Sequence, residues 1–120
     1  MDQGGIFMTV RDIIPILQAE VVCGEELLDT EIRSVCGSDM MSDVLAYVKD
    51  QSVLLTGLVN PQVVRTAEMM DMRCIVFVRG KSPDESIVKL AEEKEIVLLK
   101  TPYRMFPACG LLYESGLRGN

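Results

Sequence analysis

The sequence predicts an α/β fold in which a mostly parallel sheet lies between two layers of helices, and three observations lead there. A short apolar strand, a small polar turn and an amphipathic helix recur along the chain: residues 52–57 lead through Asn60-Pro61 into 62–72, residues 73–78 lead through 80–83 into 84–94, and residues 96–99 lead through Thr101-Pro102-Tyr103 into a last helix. The strand segments are nearly continuous apolar runs, as in Val53-Leu54-Leu55 and Ile75-Val76-Phe77-Val78, which suits strands covered on both faces. The helical segments instead carry a single apolar stripe with charges opposite, Val63, Val64, Ala67 and Met70 in one and Ile87, Val88, Leu90 and Ala91 in the next.

Taken in order, residues 1–8 carry Gly4-Gly5 and no periodicity, and read as a loose tail ahead of one domain over 9–117. Thr9 is a candidate N-cap for a first helix with Ile13, Ile14 and Leu17 on one side, which Pro15 should kink or shorten. Residues 19–23 read as a strand stopped by Gly24, and residues 31–36 as a second strand whose alternation is imperfect. The turn 37–43 precedes an apolar stripe of Met40, Met41, Val44, Leu45 and Val48, with Ser38 or Asp39 as the cap. The closing segment 103–117 has helical spacing that sets Phe106, Cys109, Leu112 and Tyr113 toward the core, with Pro107 in the first turns and Gly116 as terminator.

Composition narrows the function. The 120-residue chain has a net charge of −6 and no clustered basic stripe, which argues against nucleic acid as a partner. It contains no apolar run approaching the ~20 residues that span a bilayer and no cationic leader, so no membrane partner and a cytoplasmic location are expected. The four cysteines, Cys23, Cys36, Cys74 and Cys109, form no close pair and there is no histidine, so reduced thiols in apolar segments are expected rather than a metal site.

In parallel α/β sheets ligands gather beyond the carboxyl ends of the strands, which directs attention to the turns. Ser38, Asp39, Ser42 and Asp43 stand at a helix start, where hydroxyls and free N–H groups can hold polar ligand atoms or simply cap the helix. Thr56, Gly57 and Asn60 form the next turn, with Gly57 permitting a close backbone approach and Asn60-Pro61 suited to opening a helix. Thr101 and Tyr103 face the same edge, while Arg79 and Lys81 bring two cations to the turn between them. Neither a Gly-x4-Gly-Lys-Ser/Thr loop nor a Gly-x-Gly-x-x-Gly fingerprint is present, so no cofactor is expected. With no histidine and no base beside a serine or cysteine, the residues do not call for an enzyme. The catalytic alternative is a hydrolase or phosphotransferase that uses Asp39 and Asp43 with a divalent metal.

Met8-Thr9-Val10-Arg11-Asp12, the run 37–45, Leu54-Leu55-Thr56-Gly57 with Asn60-Pro61, Ala91-Glu92-Glu93-Lys94 with Ile96, and the run 111–117 together resemble the DRTGG domain family and the N-terminal domain of HPr kinase/phosphorylase. The literal Asp-Arg-Thr-Gly-Gly string is absent. The resemblance implies an α/β/α domain with a mixed sheet, of a kind appended to phosphate acetyltransferases and certain inorganic pyrophosphatases, where it looks regulatory and takes part in dimer contacts. Residues and resemblance together lead to a non-catalytic regulatory module that binds a small metabolite, a nucleotide or a partner protein, and that forms a homodimer.

Overall fold

A computed structural model describes residues 8–47 and 52–119. The principal sheet has five strands in the order β2-β7-β6-β5-β4, formed by Glu20–Cys23 (β2), Val97–Lys100 (β7), Cys74–Phe77 (β6), Ser52–Thr56 (β5) and Ser34–Gly37 (β4). β4, β5, β6 and β7 run parallel, and β2 joins the outer side of β7 antiparallel with an irregularity between Val21 and Cys23. The sheet is therefore mixed, and mostly parallel. Each parallel neighbour is reached through one helix, Met41–Tyr47 (α2), Pro61–Met69 (α3) and Glu85–Glu93 (α4). Val10–Leu17 (α1) and Met105–Glu114 (α5) complete the helices.

The alternation of side chains along each strand divides the core in two. On one face Leu54, Ile75, Phe77 and Leu98 meet Val44 of α2, Val63, Val64 and Ala67 of α3, and Ile87 and Ala91 of α4. On the other, Val53, Leu55, Val76 and Leu99 meet Val10, Ile13 and Leu17 of α1 and Ala108 and Leu112 of α5. The expected three layers follow. The buried residues of the central strands are apolar except at the two ends of β5, Ser52 and Thr56, because both faces of the sheet are covered by helices.

Several boundaries differ from the sequence reading for local reasons. Met8 belongs to a strand, Met8–Thr9 (β1), which pairs antiparallel with Glu31–Ile32 (β3). The single strand expected over 31–36 is thus two, since β3 turns toward β1 while β4 enters the main sheet. α1 ends at Leu17, two residues past Pro15, with Gln18 in the left-handed region at φ 49°. Gly24 ends β2 at φ +93°, and a Cβ there would lie 2.9 Å from the Cα of Val97, so neither the conformation nor the spacing admits another residue without strain. Pro107 is the third residue of α5, where a helix has no internal use for its N–H. Val48 and residues 1–7 lie outside the described residues.

Two apolar assignments are corrected. Met40 and Leu45 are exposed, so among the described side chains of that stripe Val44, with Met41 partly covered, carries the contact to the core. Phe106 is 88% exposed and Tyr113 58%, whereas Ala108 and Leu112 are buried. α5 is apolar on all sides between Met105 and Tyr113, so periodicity could not say which side faced inward.

Thr66 of α3 is fully buried, and its hydroxyl has no hydrogen-bond partner among the described residues. Removing such a group while keeping its shape is favourable. Thr66→Val is expected to raise the unfolding free energy by about 1 kcal/mol in urea titrations; an unchanged or lower midpoint would mean that the hydroxyl is satisfied in solution.

Candidate functional site

The carboxyl ends of β4, β5, β6 and β7 bring the turns after Gly37, Thr56, Phe77 and Lys100 to one edge of the sheet. Thr56 is the last residue of β5 and fully buried. Its hydroxyl donates to Oδ1 of Asp39 at 3.1 Å and accepts from the N–H of Leu58 at 3.1 Å. The same Asp39 oxygen accepts from the N–H of Gly57 at 2.7 Å. Asp39 therefore fastens the turn after β4 to the turn after β5. Of the two caps expected for α2, Ser38 or Asp39, Asp39 has an oxygen engaged by Thr56 and Gly57 across the neighbouring strand. Ser38 takes the local role, accepting from the N–H of Met40 at 2.9 Å.

Arg79 follows β6 and lies in the left-handed region at φ 63°, next to Gly80 at φ 66°. Its N–H donates to the Tyr103 carbonyl and that of Gly80 to the Thr101 carbonyl, each at 2.7 Å, which fixes this turn against the one after β7. The Arg79 guanidinium extends over Gly57: a Cβ on Gly57 would fall 2.7 Å from one of its nitrogens. The missing side chain at Gly57 is the space in which the cation sits. Among the described residues Arg79 is exposed and its guanidinium makes no hydrogen bond or ion pair. An unpaired guanidinium beside a turn held rigid from its other side is suited to an anionic group, which it can meet with two parallel N–H donors.

The remaining candidates divide. Asn60 caps α3, with Oδ1 accepting from the N–H of Val63 at 3.2 Å and Pro61 as the first helical residue. Thr101 is fully buried, and its hydroxyl donates to the Leu17 carbonyl at 2.6 Å and accepts from the N–H of Tyr103 at 3.2 Å. The donated bond joins the end of β7 to the end of α1 and the accepted one shapes the turn at Tyr103, which gives Thr101 a positioning role. Tyr103 packs partly against the α1–α5 core. Ser42 and Asp43 are exposed in the first turn of α2, and no hydrogen bond brings their side chains to Asp39 or Thr56. Among the described residues no group of three His, Cys, Asp or Glu side chains could hold a metal ion. Ser38, Asp39, Thr56 and Gly57 thus come together, joined by Arg79, whose link to Gly57 is not apparent from the sequence. The clue lay in a glycine and an arginine each ending a neighbouring strand, visible only once β5 and β6 are paired.

All four cysteines are free. Burial pushes the Cys36 thiol up from its ordinary value, reinforced by Cys109 and Asp43 nearby, and burial alone pushes Cys109 up. Cys74, wholly enclosed in the sheet, is shifted upward furthest by burial, with Cys23 adding to it. An unfolded thiol ionises near 9.0, so above that pH the unfolded chain releases a proton which folded Cys74 retains. Stability is therefore expected to fall as pH rises beyond about 9. Urea titrations at neutral and strongly alkaline pH would show a drop that is smaller in Cys74→Ala; an equal drop would assign it to other groups.

The model of the DRTGG domain family matches residues 12–115. Among solved structures, the chain is similar to the CBS and DRTGG domains of the regulatory region of Clostridium perfringens pyrophosphatase, complexed with the activator diadenosine tetraphosphate, with a TM-score of 0.73 and 19% sequence identity. The match covers 91% of this chain and 47% of that one, so the chain spans about half of that relative's length, and at this identity the likeness concerns the fold. No curated protein matches the chain. The five-stranded mixed sheet, its two helical layers and a family match extending from α1 into the residue after α5 place this protein in the DRTGG domain family.

Proposed function

We propose that the protein is a non-catalytic regulatory module that binds a small phosphorylated metabolite or nucleotide at the carboxyl edge of its sheet. The observation that carries this reading is the unpaired Arg79 guanidinium lying over Gly57, beside a turn fastened by Asp39. An otherwise acidic chain here presents a cation with open donors, and Lys81 is exposed two residues further on. The regulatory region of the pyrophosphatase relative binds a nucleotide activator, a ligand of the same anionic class. Asp39, Thr56, Gly57 and Ser38 shape the site, Arg79 supplies the charge, and Asn60 fixes the start of α3 beside it. Asp39 spends one oxygen on Thr56 and Gly57, an arrangement that serves a turn better than a metal. We take residues 9–117 as the functional unit and the cytoplasm as its location; all four thiols are unpaired, and no described helix is long and apolar enough to cross a membrane.

The test is a thermal-shift screen against nucleotides, dinucleoside polyphosphates, acyl phosphates and sugar phosphates. A ligand that binds the native state at about one hundred times its Kd adds about 2.7 kcal/mol to stability, a shift of several degrees. Arg79→Ala is expected to remove that shift while leaving the unliganded melting temperature unchanged, because the side chain has no partner to lose. A flat response across these anions, or a shift that survives Arg79→Ala, would overturn the reading.

A further inference from the structure

We infer that the anion site continues onto α5, and that its ligand is a nucleotide whose base lies in a groove along that helix while its phosphate meets Arg79. The inference rests on the reading of Arg79 as an anion site and narrows it, because a simple sugar phosphate has no aromatic plane to fill the groove. Two contacts join the site to the helix. The Arg79 N–H donates to the carbonyl of Tyr103, just ahead of α5, at 2.7 Å. At the end of β4 a Cβ on Gly37 would stand 3.1 Å from the Met105 sulfur, so the first turn of α5 borders the turn that Asp39 fastens. From there Tyr103, Phe106, Gly110 and Tyr113 line an open groove of about 530 Å³, the size of a small-molecule site.

The groove suits a flat ring. Phe106 stands almost fully exposed, and one turn further Gly110 has nothing within 4 Å of where its Cβ would stand and no left-handed φ to require glycine. A glycine inside a helix weakens it, and here its effect is a level floor between the Phe106 and Tyr113 rings. Every nucleobase has a π face that stacks on such side chains. Charge then gives the groove a direction. Arg104 stands exposed at the start of α5, and its guanidinium makes no hydrogen bond or ion pair among the described residues. Arg79 and Lys81 lie toward the same end, whereas Glu114 lines the other. A phosphate is drawn to the first end and repelled from the second, which leaves the uncharged base over Gly110.

Calorimetric titration of the whole chain with AMP, GMP and ribose 5-phosphate tests the inference, since the first two are the third with a base added. The better of the two nucleotides is expected to bind at least about fivefold more tightly than ribose 5-phosphate, the increment one stacked base supplies. Phe106→Leu and Gly110→Leu should each erase that preference, Phe106→Trp should keep it, and Arg79→Ala should weaken every ligand. Both positions on α5 are exposed, so the unliganded melting temperature should not fall and loss of folding would be visible separately. The chain has no tryptophan, so the indole of Phe106→Trp is a lone reporter whose emission the nucleotide should quench and ribose 5-phosphate should not. Equal affinities for all three, lost in Arg79→Ala, would overturn the inference and leave the anion reading standing; binding of none would overturn both. A preference that survives Phe106→Leu and Gly110→Leu would put the base elsewhere and overturn it. An indole that ignores nucleotide but responds to protein concentration would mean that another copy of the chain fills the groove, and would overturn it too.

Discussion

Phe77→Ala is expected to destabilise the fold by about 3–5 kcal/mol, read from urea unfolding, out of the roughly 5–15 kcal/mol that holds a domain of this kind together. Phe77 is fully buried, at the centre of the cluster joining the sheet to α2, α3 and α4. Phe77 is the one aromatic ring among the fully buried side chains of the described residues, so its removal leaves a void that smaller aliphatic neighbours must fill. Its neighbours Leu54, Ile75 and Leu98 are held by strand pairing and cannot follow the missing ring inward. Phe106→Ala provides the contrast: the same ring removed from solvent should leave unfolding of the monomer within about 0.5 kcal/mol. A Phe77→Ala cost below about 1 kcal/mol would mean that the layer of α2, α3 and α4 packs loosely against the sheet.

The second large effect is expected at Asp39, whose exposed position gives little hint of it. Asp39→Ala removes the acceptor shared by the Thr56 hydroxyl and the Gly57 N–H, leaving a buried backbone donor unsatisfied at a cost of about 1–3 kcal/mol. Asp39→Asn keeps an oxygen in the same place and should recover most of the loss. The pair of variants also separates two chemistries: a turn needs only an acceptor, whereas a divalent metal needs the charge, so a metal role would make Asn as damaging as Ala. The ligand-induced thermal shift should follow the same order, wild type, then Asn, then Ala, since the turn that Asp39 fastens lies directly beneath the Arg79 guanidinium.

What could be read from the sequence depended on how local the cause was. β5, β6 and β7 were legible as continuous apolar runs, and α3 and α4 as single stripes following Asn60 and Asp84, both of which accept the N–H three residues on. The antiparallel attachment of β2 was not legible from residues, because Glu20-Val21-Val22-Cys23 pairs equally well in either direction and only the path of α1 decides. The division of 31–36 depended on β1, a partner two residues long. At the site, Asn60 lay within reach of local reasoning, whereas Asp39 found its partners 17 and 18 residues away. A capping rule assigned it to the nearest helix because that rule sees only neighbours in sequence. Arg79 over Gly57 is of the same non-local kind.

The segment after α5 has a further consequence. Arg118 returns to the outer side of β4, where its backbone bridges Ser34 in parallel and its carbonyl accepts from Val35 at 3.0 Å. Its guanidinium meanwhile bonds the Tyr113 carbonyl at 2.8 Å and lies 3.9 Å above the Tyr113 ring. A sheet border left open invites a strand from another molecule and, through it, unlimited growth. Here that border is already occupied by the chain itself, and the charged residue that occupies it is anchored to α5. The fold thus discourages open-ended strand exchange on this flank.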